Sequence, residues 1–185
     1  MEKNNYAATS GPDKKNILRL ISGSERLTIE PLSGQETIDK ADGESLSFKL
    51  LMLDSKIKDL GLDQPGSATD EILPVVHEMN DDGTFLQVFT NLTTDLDKVT
   101  MSQAQIIRFC EKYTDWLCQK RCPTLFLTKV AGNQYFVVLV YVRSYSYSED
   151  GLRIRLRARM RPLEYGAKWH GCAHRRVISP LKLAA

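Results

Sequence analysis

From Leu152 to Arg161 the chain alternates an apolar residue with an arginine: Leu152-Arg153-Ile154-Arg155-Leu156-Arg157-Ala158-Arg159-Met160-Arg161. Successive side chains of a strand point to opposite faces, whereas a helix would scatter the arginines around its circumference. The segment is therefore legible only as a β-strand with one cationic and one apolar face. The preceding residues supply a partner for it. Residues 135–142 are uninterruptedly apolar and read as a strand buried on both faces. That strand runs on through Arg143-Ser144-Tyr145-Ser146-Tyr147-Ser148 to a turn at Glu149-Asp150-Gly151. Pairing across the turn is expected to set Ser148 opposite Arg153, Ser146 opposite Arg155 and Ser144 opposite Arg157, with Tyr147 and Tyr145 joining Ile154 and Leu156 on the core side. A slip of one residue would move the serines into the core, so the pattern itself selects this parity.

Upstream, Leu125-Phe126-Leu127 forms a hairpin with 135–142 across Ala131-Gly132-Asn133. Before it, Ile106, Phe109, Cys110, Tyr113, Trp116 and Leu117 recur at helical spacing as one buried stripe, with a capping box expected at Thr100 and Gln103 and an end imposed by Pro123. Phe85, Val88, Phe89 and Leu92 predict a shorter amphipathic helix. Val75–Met79 after Pro74, Leu27–Ile29, a stretch within 46–53 and Val177-Ile178 read as further strands. The fold class is α+β: a C-terminal antiparallel sheet, a meander of at least three strands, is packed by one long amphipathic helix. An irregular N-terminal part of short strands and helices precedes it. Residues 1–16 read as a frayed tail and 17–185 as a single domain, with an internal boundary near 61–70 around Pro65-Gly66.

The formal net charge of +2 conceals a split. Residues 1–100 hold 10 Lys and Arg against 18 Asp and Glu, and residues 101–185 hold 15 against 5. Such halves either attract one another within the fold or leave the basic half to an anionic partner. Guanidinium forks beside small hydroxyls suit phosphate or carboxylate oxygens. The functional reading is therefore a non-enzymatic binding protein that engages an anionic partner such as nucleic acid through Arg153, Arg155, Arg157, Arg159 and Arg161, with Arg175 and Arg176 as additions. The alternative is a protein–protein interaction or assembly module, a homo-oligomer in which the acidic half of one copy meets the basic half of another.

A third reading is a zinc-stabilised domain drawing on Cys118, Cys122, His170, Cys172 and His174, although their spacing fits no standard finger. With no apolar leader at the N-terminus and no apolar run near the roughly 20 residues of a membrane helix, a cytoplasmic protein with reduced thiols and no membrane association is expected. Catalysis has little to stand on. Cys172 lacks an identifiable orienting acid, His77 and Glu78 would face opposite ways on a strand, and there is no Gly-rich phosphate loop. No cofactor is implied.

In order along the chain, Leu20-Ile21-Ser22-Gly23, Leu27-Thr28-Ile29-Glu30-Pro31, Glu36-Thr37-Ile38, Val76-His77-Glu78-Met79, Asp115-Trp116-Leu117, Tyr135-Phe136-Val137 and His174-Arg175-Arg176-Val177-Ile178-Ser179-Pro180 resemble a family of short uncharacterised proteins encoded by ultrasmall candidate-phylum bacteria. The resemblance covers most of the chain from about residue 17 and implies no activity, cofactor or catalytic residue. The arginine strand and the surroundings of Cys172 depart from the family pattern.

Overall fold

Among the described residues, seven strands form one sheet in the order β1-β3-β7-β4-β5-β6-β2. They are β1 (Leu18–Leu20), β2 (Phe48–Met52), β3 (Leu73–Met79), β4 (Thr124–Val130), β5 (Gln134–Ser148), β6 (Gly151–Pro162) and β7 (Arg176–Leu181). This computed structural model describes residues 16–23, 25–38, 48–52, 59–119, 122–148, 151–166 and 174–181, with backbone alone at 48–52, 131, 143–148, 151–155 and 181. Of the expected frayed tail at 1–16, residues 1–15 lie outside the described residues.

The β4–β5–β6 meander is present, with Phe126 opposite Val138 and Val138 opposite Met160. The sheet is antiparallel in its majority, as expected, but not throughout. β7 runs parallel to β4, and β2 runs parallel to β6. Nor is it confined to the C-terminal part, since β3 and β1 extend it beyond β7. The short apolar pair Val177-Ile178 proves to belong to an interior strand. Both residues are fully buried, one on each face, and an interior strand must be apolar on both sides. Leu27–Ile29 does not form a strand of its own. Ile29 makes an isolated bridge to Ile72, and Leu32 another to Thr69.

The two α-helices among the described residues are short. α1 (Phe85–Leu92) opens on a capping box formed by Thr84 and Gln87 and buries Phe85, Val88 and Phe89. α2 (Gln103–Lys112) is ten residues long, so the single long helix expected over this region is absent. Its capping box is Ser102 with Gln105, two residues beyond the expected pair. It ends at Tyr113, whose backbone leaves helical geometry, and only a 3₁₀ turn over Thr114–Trp116 continues it. The stripe expected to run on to Leu117 is thus split. Ile106, Phe109 and Cys110 are buried in the helix, while Trp116 sits half-exposed outside it.

The sheet has a core on each face. On one, α2 and the N-terminal segment close over Phe126, Val138, Val140, Leu156, Ala158 and Ile178. Phe109 meets Phe126 edge-to-face with ring centroids 5.6 Å apart, and full burial of such a side chain contributes about 1.5–3 kcal/mol. On the other face α1 covers Leu125, Leu127, Val137, Leu139 and Val177. Arg157, Arg159 and Arg161 of β6 belong to this second face.

No helix among the described residues is long and apolar enough to cross a membrane.

Candidate functional site

Alternation along β6 sends Leu156, Ala158 and Met160 into the first core, where each is at most 3% exposed. Arg157, Arg159 and Arg161 consequently occupy the opposite face. Their partners on β5 are Tyr141, Leu139 and Val137. The pairing expected from the sequence is displaced here. Ser148 pairs with Gly151, so Ser146 lies opposite Arg153 and Ser144 opposite Arg155. A β-bulge between Val142 and Ser144 then puts Tyr141, not a serine, opposite Arg157. One extra residue on β5 shifts every later pair and bends the strand. The serine–arginine pairs of the register therefore end at Arg155. The side chains of Arg153 and Arg155 lie outside the described residues.

Arg157 and Arg159 are exposed, and among the described residues neither enters a hydrogen bond or an ion pair. Several acids of the N-terminal half are paired elsewhere. Glu30 pairs with Arg108 at 3.2 Å and with Lys112 at 3.2 Å, and Glu36 approaches Arg108 at 3.9 Å. Asp97 holds Lys129 at 2.9 Å and accepts the Tyr135 hydroxyl at 2.8 Å. A backbone hydrogen bond at Glu30, with the neighbouring Lys112 and Arg108 adding to it, holds the Glu30 carboxyl below its usual range despite some desolvation. The Asp97 hydrogen bond pushes Lys129 up. Part of the charge split is thus neutralised inside the fold, across α2 and β4. These described ion pairs do not reach β6.

The remaining predicted arginines diverge. Arg175 is 2% exposed, and burial pushes its pKa down even with Asp82 and Tyr141 nearby. A guanidinium so enclosed serves the interior. Arg176 lies on the other face of β7, donating from Nη1 to the Asp115 and Leu117 carbonyls at 2.9 and 3.2 Å, with its guanidinium 6.0 Å from the Trp116 ring centre. Adjacent strand residues point oppositely, and this separates the pair that looked like one cluster in sequence.

The cysteines and histidines do not assemble a metal site among the described residues. Cys118 Sγ donates to the His174 carbonyl at 3.3 Å, and His174 Nδ1 lies 3.2 Å from Glu78 Oε1. Cys122 is disulfide-bonded, contrary to the expectation of reduced thiols, while Cys110 and Cys118 are free. His170 and Cys172 lie outside the described residues. Partial burial pushes the Glu78 carboxyl up, but the Arg19 and His174 hydrogen bonds outweigh it and hold the group low. Glu78 is thereby a structural anchor between β1, β3 and the approach to β7.

One residue of this region has no signal in the strand pattern. Just past β6 the chain turns, with Tyr165 N–H donating to the Pro162 carbonyl at 3.0 Å. The turn brings Tyr165 beside Phe85 of α1, ring centres 6.4 Å apart, yet leaves the tyrosine 43% exposed. The Arg161 guanidinium lies 5.9 Å from the Tyr165 ring centre, and its Nη1 donates to the Met160 carbonyl at 2.8 Å. Beside the same strand end is a groove of about 440 Å³ lined by Asn133, Gln134, Tyr135, Phe136, Pro162 and Glu164. An aromatic residue in the turn that ends a cationic strand was the available clue.

Compared with protein-family models, curated proteins and solved structures, the chain matches none.

Proposed function

We propose that this chain is a non-enzymatic binding protein that takes an anionic partner, nucleic acid foremost, on the arginine face of β6. The observation that carries the reading is the state of Arg157 and Arg159, two exposed guanidinium groups without an acidic partner among the described residues. Two residues apart on a strand, they stand about 6.6 Å from one another on a rigid sheet. Their charges repel, and an anion bridging or following the pair relieves that repulsion. Guanidinium on a sheet also binds phosphate at low conformational cost, because the backbone is already fixed.

Binding of generic DNA and RNA is measured by fluorescence anisotropy between low and moderate salt. Affinity falls steeply with salt, and Arg157→Gln/Arg159→Gln lowers it while reducing the salt slope by about 2, since each arginine that no longer neutralises a phosphate releases one counterion fewer. Binding that ignores salt, or that survives the double substitution with its slope intact, refutes the reading.

A further inference from the structure

We infer that the partner is single-stranded nucleic acid, whose phosphates meet Arg157 and Arg159 while a base stacks on the Arg161–Tyr165 pair at the end of the row. This rests on the anion-binding reading above and adds the recognition of a base. Tyr165 is 43% exposed, one of the large apolar side chains the fold leaves in solvent. It is nonetheless well placed. The hydrogen bond to Pro162 closes its turn, Phe85, only 1% exposed, backs it, and Arg161 lies over it at 5.9 Å. A ring held in this way loses little freedom when a second ring stacks on it, so the stacking energy is not consumed in ordering the side chain. The guanidinium over the ring offers a base its own plane for stacking and adds cation–π attraction.

Two features run in order along one face, two unpaired arginines and an arginine–tyrosine platform, and the groove beside Pro162 and Glu164 adjoins them at the end of the strand. Phosphate, base face and base edge follow one another along a single strand in the same way. The Asn133 and Gln134 amides and the Glu164 carboxylate that line the groove are groups able to pair with the hydrogen-bonding edge of a base. A duplex keeps its base faces inside the stack and offers the tyrosine nothing. A base-free polyanion satisfies the arginines alone.

The test uses the full chain and four probes at one fixed salt concentration: twelve-nucleotide oligo-U, twelve-nucleotide oligo-dT, a DNA duplex of the same length, and inorganic polyphosphate. Tyr165→Leu keeps an apolar side chain beside Phe85 but removes the ring, and Tyr165→Phe keeps the ring. Tyr165→Leu is expected to weaken both single strands by about 5- to 150-fold, the range measured when one stacking partner is removed, and to leave polyphosphate within about two-fold. Tyr165→Phe binds every probe as the parent does. Single strands that bind Tyr165→Leu normally, a weakening that extends equally to polyphosphate, or a duplex that binds as tightly as the single strands each overturn the inference, while the arginine reading stands if Arg157→Gln/Arg159→Gln still weakens binding. Failure of every probe to bind the parent protein removes both.

Discussion

The Tyr113 hydroxyl is bonded twice to Thr28, accepting the Thr28 amide hydrogen at 2.8 Å and donating to the Thr28 carbonyl at 2.9 Å. A single side-chain oxygen thereby satisfies both backbone groups of a residue in the N-terminal segment that has no ladder partner among the described residues. With Lys112 Nζ on the same carbonyl at 2.9 Å and the Ile38 amide donating to Gln103 at 3.2 Å, α2 holds down a length of chain that local structure would leave loose. Tyr113→Phe keeps the ring against Phe109 and deletes only the two bonds. It is expected to cost about 1–3 kcal/mol, because the half-buried amide of Thr28 is left without its acceptor. Urea denaturation checks this, with the midpoint lowered and the slope unchanged. A change under about 0.5 kcal/mol would mean that water replaces the hydroxyl.

Of the glycines described, Gly34 is the least open to substitution. Its φ is +78°, and an added Cβ would run into the Ser67 and Gly66 carbonyl oxygens. Gly61 has a similar φ of +69° but open space around it. Gly61→Ala is therefore expected to cost about 1 kcal/mol, for the left-handed backbone alone. Gly34→Ala adds a clash with main chain that cannot swing aside, for about 2–4 kcal/mol in all. Thermal melts of the two variants measure the difference, and equal costs would contradict the close approach of 66–67 to 34.

His77 predicts an acid sensitivity. Burial holds its pKa below the ordinary 6.5, and its Nδ1 has no hydrogen-bond partner among the described residues. As pH falls past 6.5 the unfolded chain takes up a proton that the folded chain refuses. The unfolded state then binds more protons, and stability declines until the depressed folded pKa is reached. His77→Leu should flatten the stability profile between about pH 7 and 5. Glu78, also held low, contributes stability above the ordinary carboxyl range that disappears as pH drops below about 4.3, so the variant still weakens at lower pH. A variant as acid-sensitive as the parent between pH 7 and 5 would show that the imidazole is not the titrating group.

The β6 arginines separate binding from stability. Because Arg157 and Arg159 are exposed and form no hydrogen bond or ion pair among the described residues, replacing both with Gln should move the unfolding free energy by less than about 0.5 kcal/mol. Calorimetry or denaturant titration provides the value. A larger drop would assign these residues to the fold.

The elements whose residues carry their own period were legible from sequence. The alternation of 152–161 can form nothing but a strand, the apolar run at 135–142 demands cover on both faces, and Phe85, Val88 and Phe89 fall on one side of α1. Each of these is local, set by the repeat of a strand or helix against apolar and polar residues. The end of α2 was less legible, because Tyr113, Trp116 and Leu117 keep the helical spacing after the backbone has left it.

What only the tertiary structure decided is long-range. Val177-Ile178 sits in a six-residue interior strand because β3 and β4 stand ready on either side, which nothing within 176–181 announces. The hairpin register and the one-residue bulge at Val142/Ser144 together set Tyr141, rather than the expected Ser144, opposite Arg157. Charge followed the same division. Sequence determined that the two halves carry opposite charge, but which acids meet which bases depends on distances between elements far apart in the chain. Glu30 and Asp97 reach α2 and β4, and Arg157 and Arg159 are left facing solvent. Periodicity fixes the face a side chain occupies, whereas packing fixes what that face meets.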